Sequence, residues 1–225
     1  MFSRRLTQYL DDLRAVFIRI LGAGLKLKPS KGQLFRDEVL YLGHIINSSG
    51  FSPEPAKLRV LSTWPVPSTV CDVQSLLGFV NFYGDYISTL GSTRLTAPLY
   101  ALTAGRKGTE KVVLDAEELV AFNSLKQALV ASPQLAHPNL AKQFIVHIDA
   151  STIAIGAVHL QQSEKNVERP ISFFSKKLSA PQQNYMTFKR ECLAVVAAAQ
   201  HFRVYLLGRP FILSNDHKAL SWLFS

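Results

Sequence analysis

Gln143-Phe144-Ile145-Val146-His147-Ile148-Asp149-Ala150-Ser151 marks the point where the hydrophobic period of the chain changes. Before it, from Ala56 to Ala131, apolar residues recur every three or four positions, the spacing of helices; from Gln143 onward they run in short blocks between polar turns, the spacing of strands. Strands are read at Gln143 to Ile148, Ile155 to Leu160 and Pro170 to Phe174. A helix is expected from Tyr185 or Met186 to Leu207, with Phe188, Cys192, Val195, Val196, Ala199, Phe202 and Leu206 as its buried stripe. Gly208-Arg209-Pro210 stops it, and Phe211 to Asn215 reads as a fourth strand before a last helix from His217. Three acids fall at the ends of these elements. Asp149 closes the first strand, Glu191 opens the helical run from Cys192, and Asp216 ends the fourth strand. Carboxylates so placed can converge on a divalent metal, whereas the plainer alternative makes each a helix cap or a strand-end surface residue.

Working outward, the 225 residues hold one large domain or two small ones, and 48% hydrophobic content is enough for an ordinary core. Twenty-five Lys and Arg against 16 Asp and Glu give a net charge of +9, which favours polyanions, nucleic acid before membrane. Two cysteines, Cys71 and Cys192, make neither a disulfide framework nor a zinc site. No apolar run approaches the roughly 18 residues of a membrane span, and the first residues lack the apolar core of a signal peptide, so an intracellular chain is expected, with cytoplasm and nucleus both open.

Residues 5 to 22 read as an amphipathic helix closed by Gly22 and Gly24. It contains Tyr9-Leu10-Asp11-Asp12, which has the letters of a polymerase metal motif, but Leu13 to Leu21 continues in helical period where that motif needs a strand, so both aspartates are read as solvated. Leu25 to Lys28, Gln33 to Phe35 and Val39 to Ile46 give strand signals, ended by Ser48-Ser49-Gly50. Lys26, Lys28, Lys31 and Arg36 make this region basic, as contact with a phosphate backbone requires and as a solvated strand face would equally show. Helices are expected at Ala56 to Thr63, Asp72 to Tyr86, Leu95 to Leu102 and Ala116 to Ala131, the second burying Val73, Leu76, Leu77, Val80 and Tyr83 or Gly84. Ser132-Pro133 to His137-Pro138 reads as a two-proline linker.

Ordered along the chain, Ala23-Gly24-Leu25-Lys26-Leu27-Lys28-Pro29, Tyr41-Leu42-Gly43-His44, Trp64-Pro65-Val66-Pro67, Leu77-Gly78-Phe79-Val80-Asn81-Phe82-Tyr83, Asp149-Ala150-Ser151, Glu191-Cys192-Leu193-Ala194 and Asn215-Asp216-His217-Lys218 carry a resemblance. Over nearly its whole length the chain resembles the pol polyprotein of gypsy-type long-terminal-repeat retrotransposons, or a host sequence derived from one. The resemblance implies a mixed α/β architecture. Residues 1–55 would be the end of a reverse-transcriptase palm with β-hairpins and a primer grip at Tyr41 to Ile46, residues 56–140 a helical thumb and connection, and residues 141–225 an RNase H-like fold of three antiparallel strands, a helix and a parallel fourth strand. It implies Lys26, Lys28, Lys31, Gly43 and His44 as nucleic-acid contacts, and Asp149, Glu191 and Asp216 as ligands of two Mg²⁺ ions in hydrolysis of the RNA strand of RNA–DNA hybrids. At an effective dielectric of 20, two unit charges 4 Å apart repel by about 4 kcal/mol, so such a cluster makes sense mainly with its metal. The family's polymerase aspartates would precede Met1 and its fourth RNase H aspartate would follow Ser225, so that the polymerase portion is an implied partner and the RNase H part is expected to be truncated. The sequence departs from the family at Gly84-Asp85, where a pair of arginines is usual. His147 and His159 have no spaced partner for zinc, His201 reads as a helix-surface or core-edge residue, and His217 adjoins Asp216. Two main readings stand: a Mg²⁺-dependent nuclease segment, or a nucleic-acid- or protein-binding relic without catalysis. An unused pseudogene fragment is the third.

Overall fold

The change of period at Gln143 is a change of architecture. The computed structural model describes residues 5–87 and 89–215; Asp216 and His217 therefore lie outside the described residues. Helix α1 (Leu6–Gly22) contains Tyr9 to Asp12, as the period requires, but buries none of its residues. A meander of three antiparallel strands follows, β1 (Glu38–Tyr41), β2 (His44–Asn47) and β3 (Gly50–Pro53). The expected strands at Leu25 to Lys28 and Gln33 to Phe35 do not form. Pro29, with no N–H to give a ladder, opens a 3-10 turn over Pro29–Lys31, and the third strand starts at Gly50, where an end was expected.

Four helices come next: α2 (Pro55–Ser62), α3 (Val70–Phe82), α4 (Thr89–Ala101) and α5 (Ala116–Val130). Thr69 starts α3 through a capping box, its hydroxyl accepting from the Asp72 N–H at 3.2 Å while the Asp72 carboxylate accepts from the Thr69 N–H at 2.9 Å. The N–H of Ser68 and the bonds to Thr69 hold the Asp72 carboxyl below its usual range. The expected inward face of α3 is the buried one: Val73, Leu76, Leu77, Val80 and Tyr83 pack with Leu99, Phe122, Leu125 and Leu129.

The second sheet is β4 (Phe144–Ala150), β5 (Ala154–Gln162) and β6 (Glu168–Lys177), antiparallel in sequence, with β7 (Phe211–Asn215) parallel to β4, giving the order β6-β5-β4-β7. Between β6 and β7 run α6 (Ala180–Gln183), α7 (Thr187–His201) and α8 (Arg203–Leu206). Helix α7 packs on β4 and β5 from one side, and α4 packs on β5 and β6. Phe173 and Val158 accordingly join the helical core, whereas Phe144, Val146, Ile148, Ile155 and Ala157 join the core under α7. A strand covered on both faces reads as a continuous apolar run, which is why β5 is buried from Ala154 to Ala157 without alternation.

The single long helix expected from Tyr185 or Met186 to Leu207 is interrupted at Phe202, and its buried stripe holds only in part, with Phe202 and Leu206 in the core and Val195 packed against it. Val196 is exposed, whereas Ala194, Ala197 and Ala198 face the sheet with Phe202 and Leu206. Alanine lets the helix axis approach the strands closely, so the smallest apolar side chains, not the largest, lie at the contact.

Candidate functional site

Strand alternation and parallel pairing build one corner of the second sheet. β4 and β7 run side by side in the register Phe144 with Phe211 through Ile148 with Asn215, and neighbouring strands lie about 4.8 Å apart. Asp149 is the next residue along β4; it is exposed, and by alternation it shares a face with Ile145 and His147. Contrary to the expectation that Glu191 opens its helix, it is the fifth residue of α7 and only 6% exposed. Its Oε2 accepts a hydrogen bond from the Asn215 side-chain amide at 2.8 Å. The structure therefore brings Glu191 to the end of β7 on the face that α7 covers, whereas alternation turns Asp149, at the neighbouring end of β4, toward the other face of the sheet. The third expected acid, Asp216, lies outside the described residues, and among the described residues no three His, Cys, Asp or Glu side chains cluster as a metal site.

The electrostatics of Glu191 test whether this corner fits a cation. Among the described residues Arg106 pairs with Glu110, His147 lies 3.8 Å from Glu168, and no Lys, Arg or His pairs with Glu191. A carboxylate nearly out of water, with a neutral amide as donor and no counter-charge, is costly alone and is stabilised by an added cation. Its oxygens are hard donors of the kind Mg²⁺ selects, as are those of Asp149 at the neighbouring strand end.

A second constellation surrounds the tip of β1 and β2. Leu42 and Gly43 turn the hairpin with φ of 49° and 79°, the left-handed pair of a two-residue hairpin loop. His44 then stacks on Phe82 at 5.2 Å and on Tyr86 at 5.6 Å, and its Nδ1 lies 2.8 Å from the Tyr86 hydroxyl. Tyr83 donates its hydroxyl to the Gly43 carbonyl at 2.9 Å. Burial lowers the His44 pKa against the opposing pull of Asp85, so the ring is neutral at pH 7. The hairpin is thus pinned to the end of α3, while Leu40, Tyr41 and Leu42 remain exposed. Of the expected nucleic-acid contacts, Gly43 and His44 lie in this hairpin, but His44 is turned into an aromatic cluster. Lys26 and Lys28 are exposed in an irregular segment and not on a strand, and Lys31 belongs to the 3-10 turn. Sequence reasoning missed Asn215, Tyr83 and Tyr86 as partners of Glu191, Gly43 and His44, because these pairings join residues 24 to 42 positions apart.

Residues 114–213 match the model of the RNase H-like domain found in reverse transcriptase. Along 99% of its length the chain is 33% identical to the retrovirus-related Pol polyprotein from transposon 297 of Drosophila melanogaster and 32% identical to that from transposon opus. It is 27% identical over 97% of its length to the transposon Tf2-3 polyprotein of Schizosaccharomyces pombe. Its homologues are retrotransposon Pol polyproteins. The chain spans 20%, 23% and 16% of the length of these three relatives. In fold it is similar to the foamy viral protease-reverse transcriptase, solved in complex with RNA/DNA hybrid (TM-score 0.82, 20% identity, 99% of this chain and 30% of that one) and with double-stranded DNA (TM-score 0.81, 20% identity, 100% and 38%). Both sheets and the helices between them belong to that likeness, so the mixed α/β architecture implied by the sequence is the observed one.

Proposed function

We propose that the chain is the stretch of a gypsy-type retrotransposon Pol protein running from the end of a reverse-transcriptase palm (1–55) through thumb and connection (56–140) into an RNase H-like domain (141–225), and that the domain hydrolyses the RNA strand of RNA–DNA hybrids with Mg²⁺. The observation that supports this reading is Glu191, a nearly buried carboxylate with no counter-charge among the described residues, held on α7 against the end of β7. Asp149, Glu191 and Asp216 would hold the metal, which supplies a nucleophilic hydroxide at neutral pH and charge stabilisation at the leaving oxygen. The protein's own part is positional: the paired strands fix Asp149, and α7 and β7 together fix Glu191. The +9 charge draws the polyanion to the surface, and Lys26, Lys28 and Arg36 are exposed to meet it.

The purified chain incubated with a labelled RNA–DNA hybrid and Mg²⁺ should cleave the RNA strand, and Asp149→Asn should remove the activity. Unchanged cleavage by Asp149→Asn would sink the assignment. The exposed lysines favour one other reading, a binding segment without catalysis; it predicts hybrid affinity that falls steeply with salt and no cleavage by the parent chain.

A further inference from the structure

We infer that Asn215 is the positioning residue of this corner, its side-chain amide holding the Glu191 carboxylate in the orientation a divalent cation requires. The inference rests on the metal-site reading above. Asn215 shares a strand face with Phe211 and Leu213, and Leu213 packs into the core beneath α7, so alternation aims Asn215 at that helix. Glu191 comes from α7 in the opposite sense, and the two meet at 2.8 Å in a partly buried contact.

The chemistry of the donor matters. An amide N–H orients a carboxylate without discharging it, leaving the negative charge to attract a cation; a lysine or arginine there would neutralise the acid and compete with the metal. A free glutamate side chain must be immobilised when it binds a metal. Here the immobilisation is made at folding, as outer partners of metal ligands do elsewhere, and losing such a partner typically costs 10- to 100-fold in metal affinity. Asn215 touches neither the reacting atoms nor, on this account, the metal. It acts through Glu191.

That dependence sets the experiment. Mn²⁺ alone is titrated into the full 225-residue chain, with binding followed by electron paramagnetic resonance and the fold followed by thermal melting without metal. Glu191→Gln and Asp149→Asn should weaken Mn²⁺ binding, and Asn215→Leu should weaken it about 10- to 100-fold. The double variant Glu191→Gln with Asn215→Leu should bind no more weakly than Glu191→Gln alone, because the amide has then lost the group through which it acts. Asn215→Ala, which adds no apolar bulk, is the second variant if Asn215→Leu does not fold. Parental Mn²⁺ affinity in a folded Asn215 variant, or an additive loss in the double variant, overturns the inference while the metal site stands. Parental affinity in both Glu191→Gln and Asp149→Asn instead overturns the metal-site reading, and the role of Asn215 with it.

Discussion

Gly50→Ala should destabilise the chain by about 3–5 kcal/mol, a loss reserved for changes that break a fixed backbone arrangement. Gly50 is buried and has φ of 149°, a conformation that side chains with a Cβ rarely adopt. A methyl group there would overlap the Leu135 carbonyl oxygen and lie 3.0 Å from its carbonyl carbon. Backbone against backbone cannot be relieved by a rotamer change. The contact is close because Phe51 and Leu135 exchange both hydrogen bonds, N–H to carbonyl at 2.9 Å in each direction. Around that bridge the Arg169 guanidinium donates to the Ser49 carbonyl at 2.8 Å, and the Ala136 N–H donates to the Pro170 carbonyl at 2.7 Å. Separating Phe51 from Leu135 therefore loosens the first sheet from β6 as well. Urea unfolding would measure the loss, and amide exchange at Leu135 would localise it. Gly78 is the contrast: it is exposed inside α3 with nothing within 4 Å of an added Cβ, so Gly78→Ala should stabilise by about 0.5–1 kcal/mol. Equal effects at the two glycines would show that the bridge at Leu135 does not constrain the fold.

That bridge also shows what the sequence could and could not yield. The strands of the second sheet were legible because Phe144 to Ile148 and Phe211 to Leu213 are apolar blocks between turn residues, whereas the parallel pairing of the fourth strand with the first was implied only by the family resemblance. Asp149 was legible as an acid near a strand end, whereas Glu191, read as opening a helix, is the fifth residue of α7. What no local pattern carries is the partner across space: Gly50 reads as a turn glycine until Leu135 is beside it, and the segment from Ser132 to Pro138 reads as a linker until its bonds to β3 and β6 are seen. The stripe of the helical run was legible at Phe202 and Leu206 but not within α7, for a related reason. Apolar periodicity ranks large side chains highest, whereas the closeness of helix and sheet selects Ala194, Ala197 and Ala198. In β5, alternation places Ala157, His159 and Gln161 on one face and makes the last two look solvated, yet both are buried. Gln161 is reconciled by its bonds to the Asn139 N–H and to the carbonyls of Asn139 and Lys142. His159 is not.

His159→Leu should therefore stabilise the chain at pH 7 and remove much of its sensitivity to acid. The ring of His159 is fully buried against Phe144, Phe202 and Tyr205, with centroids 4.6, 5.1 and 5.0 Å away, and neither nitrogen has a hydrogen-bond partner among the described residues. Leaving buried polar atoms unpaired costs about 1–3 kcal/mol, which a leucine of similar size would recover. Burial also pushes the His159 pKa down from 6.5 to about 4. The unfolded chain then takes up the proton before the folded chain does, so stability is full above about pH 6.5, falls as the pH drops toward 4, and changes no further from this group below that. The shift corresponds to about 3 kcal/mol across the window. Unfolding free energies of parent and variant, compared at pH 7.5 and pH 4, should diverge by about that amount as the pH falls, because every other titrating group is common to both chains. A constant difference between the two curves would mean that His159 finds a proton acceptor or water in the folded chain, and the packing of β5 against α7 and α8 would then be looser than its aromatic contacts imply.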